Sequence, residues 1–88
     1  MTDKELIEAA ANIAGIKLVY DPTGIPRNCT GFDPAMNIYA AQAWNPLEDN
    51  LTCFSLGLQA NKTFIVDISD GMRSVRRSIV EHVVKGKP

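Results

Sequence analysis

Three arginines, Arg73, Arg76 and Arg77, recur at helical spacing just after Ser69 and Gly71, and they are the strongest chemical signal in the 88-residue chain. Ser69 and Gly71 stand where a helix begins, so backbone amides there lack intrahelical partners. Guanidinium groups beside such amides suit a phosphate or a carboxylate. The blander reading is a solvated helix face on which Arg77 pairs with Glu81 at i,i+4. Three arginines are few for nucleic acid, and no aromatic side chains interleave with them to stack bases. Nucleic acid is therefore the less favoured partner.

Reactive chemistry has thinner support. Hydrolysis by a nucleophile and base needs a proton acceptor, and the single histidine, His82, lies beside the apolar stripe of the last predicted helix. A histidine near a helix C-terminus is already favoured by the negative end of the dipole. Cys29 and Cys53 with His82 give three potential ligands but no short-range pair, so no zinc site is expected and the thiols read as small buried hydrophobes. Asp67 and Asp70 flank a strand-to-helix junction, where paired acids can hold magnesium or act as a base. Asp70 reads more simply as a helix cap and Asp67 as an outward strand residue. Neither an enzyme nor a cofactor is expected.

Trp44, with Tyr39 and Phe32 nearby in sequence, offers an aromatic contact surface beside a predicted loop, the raw material of a protein interface. Its alternative is a staple that packs onto the helix it precedes.

The elements that must position these residues follow from local patterns. Thr2-Asp3-Lys4-Glu5 is a capping box, and Leu6, Ala10, Ile13 and Ala14 recur at three and four residues until Gly15, which predicts a helix over 3–14. Ile16 to Tyr20 alternates and predicts a short strand ended by Asp21-Pro22. From Asp21 to about Pro34 the closely spaced Pro, Gly, Asp and Thr predict a long loop, and Met36 to Ala41 alternates as a short edge strand. Asn45-Pro46-Leu47-Glu48 predicts a helix start, with Leu47, Leu51, Phe54 and Leu58 repeating at helical spacing as its apolar face, although the alternation from Phe54 to Leu58 also suits a strand. Thr63 to Ile68 is dense in β-branched residues and predicts a central strand. Ser69-Asp70-Gly71 then caps a third helix with Met72, Val75, Ile79 and Val83 on one face.

This adds up to one domain over 1–88, of α+β class: a small sheet of two to four strands packed with three helices in an α/β/α sandwich-like arrangement. Residues 1–72 carry four basic and nine acidic side chains, a balance of −5, and residues 73–88 carry five basic and one acidic, a balance of +4. The basic character is confined to the last segment. No apolar run approaches the roughly 20 residues of a membrane span, and Met1-Thr2-Asp3-Lys4-Glu5 lacks the basic and apolar regions of a signal peptide. A cytoplasmic protein with reduced thiols is the expectation.

Trp44-Asn45-Pro46-Leu47-Glu48-Asp49, set between the capped Thr2 to Gly15 helix and an Arg76-Arg77-Ser78-Ile79-Val80 helix, resembles a family of small phage and prophage proteins described as a phage α/β/α sandwich domain of unknown function. The chain departs from that pattern at Asn50-Leu51-Thr52-Cys53-Phe54 and in the loop around Cys29. The resemblance implies a phage-encoded, accessory protein and transfers no catalytic residues. The combined expectation is a non-enzymatic binding protein in the host cytoplasm that occupies a host or phage protein, such as a defence or regulatory component. Its contacts would come from Arg73, Arg76 and Arg77 for charge and Trp44 for an apolar anchor. The alternative is a binder of a nucleotide or other phosphate-bearing ligand at the Ser69 to Arg77 helix start. A homodimer formed over an open sheet edge is also compatible with the pattern.

Overall fold

A computed structural model describes residues 1–33, 35–60 and 68–85, and shows three helices and a three-stranded antiparallel sheet. The α+β expectation is met. The first helix, α1, covers Asp3–Ala14 as its pattern predicts. Thr2 accepts from the Glu5 amide at 3.2 Å while the Glu5 carboxylate accepts from the Thr2 amide at 3.0 Å, so the capping box is complete. Gly15 ends the helix in the left-handed region at φ 73° and returns its N–H to Ala11 and Asn12.

The strands are short: β1 is Leu18–Tyr20, β2 is Pro26–Asn28 and β3 is Gln42–Ala43. They pair in the order β1-β2-β3, with Val19 opposite Arg27 and Arg27 opposite Ala43. The segment predicted as a long loop therefore holds a hairpin. The punctuation from Asp21 to Ile25 is its turn, in which the Asp21 carboxylate gathers the amides of Thr23 and Ile25 at 2.8 and 3.1 Å, and Gly24 supplies the positive φ of 86°. Pro26 takes the first strand position, where its missing donor is tolerated. The predicted edge strand over 36–41 is replaced by a 3-10 turn at Ile38–Ala40, because the Asn37 side chain accepts from the Tyr39 amide at 3.0 Å. Strand pairing resumes only at Gln42.

The second helix, α2, spans Asn50–Ala60, later than the Asn45 start predicts. Asn45 instead closes a tight turn, accepting from the Leu47 amide through its side chain and from the Glu48 and Asp49 amides through its carbonyl. Asp49 is the residue that caps α2, accepting from the Thr52 amide at 2.8 Å and the Thr52 hydroxyl at 2.6 Å. This later start changes which face is buried. Cys53, Leu56 and Gly57 point inward, whereas Leu51, Phe54 and Leu58 are exposed. Of the predicted apolar face only Leu47, which lies in the turn before the helix, reaches the core.

The third helix, α3, covers Met72–Lys85 and buries Ile79, Val80 and Val83. It is the central helix, contacted by both α1 and α2. Leu6, Ala10, Cys53, Leu56 and Val80 form the middle of the core, with Leu18 and Trp44 bringing the sheet side against it. The predicted central strand falls on residues outside those described except for Ile68, which is exposed. Asp67 also lies outside them.

Candidate functional site

The structure places the three predicted arginines on α3 and engages each of them within the chain. Arg76 reaches across to the start of α2, donating from Nε to the Leu47 carbonyl at 2.8 Å and from Nη1 to Asn50 Oδ1 at 2.7 Å. Arg77 donates to the Asp3 carboxylate on α1 and lies 3.4 Å from Glu81. The bond to Asp3 raises the Arg77 pKa above its ordinary value. Arg73 is the freest, with a 3.8 Å ion pair to Asp70 and a largely exposed side chain. Together with Asp3 and Glu48, Arg73 and Arg77 border a recess of about 150 Å³, so two carboxylates face two guanidinium groups. That balance gives an anion little net attraction.

Two amides immediately before the helix are satisfied locally. The Gly71 amide donates to the Ile68 carbonyl at 3.1 Å, and the Asp70 amide donates to the Ser74 hydroxyl at 2.7 Å. Gly71, at φ 59°, directly precedes Met72, so it occupies the cap position predicted for Asp70. Ser69 is itself engaged.

Trp44 belongs to a different part of the surface. Its amide donates to the Pro26 carbonyl at 2.9 Å, and its half-buried side chain packs against the core and borders a cleft of about 290 Å³ between β3 and α2. Leu51, Ser55 and Gln59, one helical turn apart, form the α2 wall, with Ala43 and Ile16 opposite. No described side chain lining this cleft carries a charge. Sequence reasoning found Trp44 and, in the staple alternative, the helix that it precedes, but not the uncharged α2 wall that faces it across a cleft. The signal was present: residues 50–60 contain no Asp, Glu, Lys or Arg.

The remaining titratable groups serve the fold. Cys29 and Cys53 are both free and buried, as expected of small apolar residues. Burial pushes the Cys53 thiol up to about 11, against the opposing Arg76 charge, which removes thiolate character near neutral pH. The Tyr20 pKa is also raised, first by burial and then by the Glu8 charge, and its hydroxyl has no hydrogen-bond partner among the described residues. Among the described residues no group of three His, Cys, Asp or Glu could hold a metal ion, and no helix is long and apolar enough to cross a membrane.

A scan against protein-family models and searches of curated proteins and solved structures found no match to this chain. The likeness to phage α/β/α sandwich proteins therefore stands on the quoted motifs alone.

Proposed function

We propose that this chain is a non-enzymatic binding protein that seats an uncharged, apolar segment of another protein in the cleft between β3 and α2. One observation carries this reading: a Trp-bordered cleft of about 290 Å³ is walled by neutral side chains in a chain where 22% of residues are charged. A neutral, partly aromatic lining favours apolar groups, whose transfer from water supplies the binding free energy, and gives no counter-charge to an ionic ligand. The resemblance to phage proteins supplies the proposed setting, a phage- or prophage-encoded protein in the host cytoplasm acting on a host defence or regulatory component. Sequestration of a phosphate-bearing ligand at the start of α3 has less support, because Arg76 and Arg77 are already engaged and the recess beside Arg73 is shared with two acids.

The test compares wild type with Ala43→Arg, which brings a guanidinium to the β3 wall of the cleft at an exposed position. A partner captured from host lysate, identified and then titrated in purified form, is expected to shift the emission of Trp44, the single tryptophan. Its affinity is expected to fall at least about tenfold in Ala43→Arg, the effect of losing about 1.4 kcal/mol, and to stay unchanged in Arg73→Ala. Equal binding by wild type and Ala43→Arg would remove the cleft from the proposal. Substrate turnover by the purified chain would remove the non-enzymatic reading.

A further inference from the structure

We infer that a second copy of this chain covers the outward face of α2, the two helices packing antiparallel about a two-fold axis that passes between Phe54 and Ser55. This goes beyond the cleft reading in its occupant and in its seam, which is centred on Phe54 and Leu58 outside the cleft, while Leu51 and the rim residues Gln42, Ser55 and Gln59 are shared with the cleft wall.

The crest is apolar where a surface helix is ordinarily polar. Leu51 and Leu58 are 74% and 81% exposed and Phe54 is 42% exposed. They follow one another at three and four residues, the spacing of a single helix-to-helix seam. On a wheel of 100° per residue, Leu51 and Leu58 lie well away from Cys53 and Leu56, about 150° round the helix, and Gly57 lies between the two faces; these last three are the residues that α2 buries against its own core. The helix is therefore apolar on both sides.

Charge selects the occupant. A two-fold axis sets each residue near it against its own copy, so a charged side chain there repels itself. The outward faces of α1 and α3 carry Lys4 and Glu8, and Arg73, Arg77 and Glu81, whereas Asn50 to Ala60 carries no charge at all. A partner of different sequence places no such demand on the helix. The order of side chains is also self-complementary. With the axis between 54 and 55, Leu51 of one copy meets Leu58 of the other at both ends, and the two Phe54 rings meet beside the axis, an aromatic pair.

The area suits a reversible dimer. At roughly 180–200 Å² for a fully exposed Leu or Phe, these three side chains expose about 350 Å² per copy and about 700 Å² for the pair. A specific interface needs about 1,200 Å² or more in total. The exposed, uncharged Asn50, Ser55, Gln59 and Gln42 surround the seam as a polar rim, and a seam smaller than the standard size corresponds to a weak, reversible association.

Sedimentation equilibrium of the purified chain from about 1 to 500 µM tests this. Wild type is expected to move from the 9.6 kDa chain mass to twice that mass across this range. Leu51→Lys and Leu58→Glu are each expected to stay at chain mass with an unchanged far-ultraviolet spectrum, since both positions are exposed. Mixing the two variants is expected to restore the dimer, because antiparallel register sets the ammonium introduced by Leu51→Lys against the carboxylate introduced by Leu58→Glu. A wild type that stays at chain mass to 500 µM overturns the inference while leaving the cleft proposal to its own titration. A dimer that survives Leu58→Glu removes α2 from the interface. A mixture that stays monomeric overturns the antiparallel register.

Discussion

The buried carboxylate of Asp21 holds the Arg27 guanidinium at 2.7 Å, with the Asp21 side chain fully enclosed and that of Arg27 nearly so. From there Arg27 donates to the Ala41 carbonyl at 2.8 Å and lies over the Tyr39 ring at 5.4 Å. One ion pair thus ties the β1-β2 turn to the 3-10 turn that precedes β3. Its effect reaches the cleft, because β3 is the wall on which Ala43 and Trp44 stand.

Acid is expected to remove the stability that this pair contributes to the fold. The Asp21 pKa lies well below its ordinary value, the Thr23 hydroxyl bond being the largest cause and Arg27 and the turn amides adding to it. A carboxylate with a depressed folded pKa contributes stability that is complete above its unfolded value, near pH 4, and is lost progressively as pH falls below that. Asp21→Asn should therefore melt several degrees lower at pH 7 and show a shallower decline in melting temperature between pH 5 and 2. Parallel curves for the two proteins would separate Asp21 from the acid response.

Arg76 and Arg73 are expected to part company on truncation. Arg76→Ala removes two bonds that hold the Leu47 to Asn50 turn, and should cost about 1–3 kcal/mol in denaturant unfolding, the range for charged hydrogen bonds at a partly buried site. Arg73→Ala breaks only an exposed ion pair and should stay within about 0.5 kcal/mol of wild type. Similar losses for both would show that the α3 arginines act as one charged face rather than as one structural pin and one surface group.

These contrasts show where the sequence was legible. α1 could be read to the residue because its signals are local: a reciprocal cap at Thr2 and Glu5, and a glycine at φ 73°. Most of the inward face of α3 could be read because charged residues mark its other side, Met72 at the exposed first turn being the exception. α2 could not, for two physical reasons. Leu47 stands at helical spacing from Leu51 but belongs to the preceding turn, and an uncharged helix with apolar residues on both faces does not disclose its phase. β2 was hidden because Pro26, Arg27 and Asn28 have little strand propensity, and the hairpin is imposed by Asp21 and its acceptor bonds. The arginine cluster was visible as a pattern of types. That Arg76 finds its partners 29 and 26 residues away along the chain is a tertiary fact no spacing rule contains.

Gly15 should report backbone strain alone. A Cβ added there meets nothing within 4 Å, so Gly15→Ala carries only the conformational cost of the left-handed region. That cost is about 1–2 kcal/mol for an L-residue, and Gly15→Asn should lose less because Asn tolerates this conformation. Both are read from shifts in the chemical denaturation midpoint. A neutral Gly15→Ala would mean that the α1 terminus refolds into another cap.

Cys53 is expected to set an alkaline limit on stability. Its side chain is fully buried, the thiol lies 3.6 Å from the Arg76 carbonyl, and its pKa rises from 9.0 to about 11, burial being the first cause. Unfolding at a pH between those values releases the Cys53 proton, so the unfolded state binds fewer protons and stability falls as pH rises, by up to about 1.4 kcal/mol per pH unit. Cys53→Ala should begin less stable at pH 7, having lost the sulfur from the core, and then fall less steeply above pH 9 than wild type. In a Cys29→Ala background, the remaining thiol should react with a disulfide reagent only as fast as the fold opens. Rapid stoichiometric labelling at pH 8, or equal alkaline slopes with and without Cys53, would contradict the buried, protonated thiol on which this expectation rests.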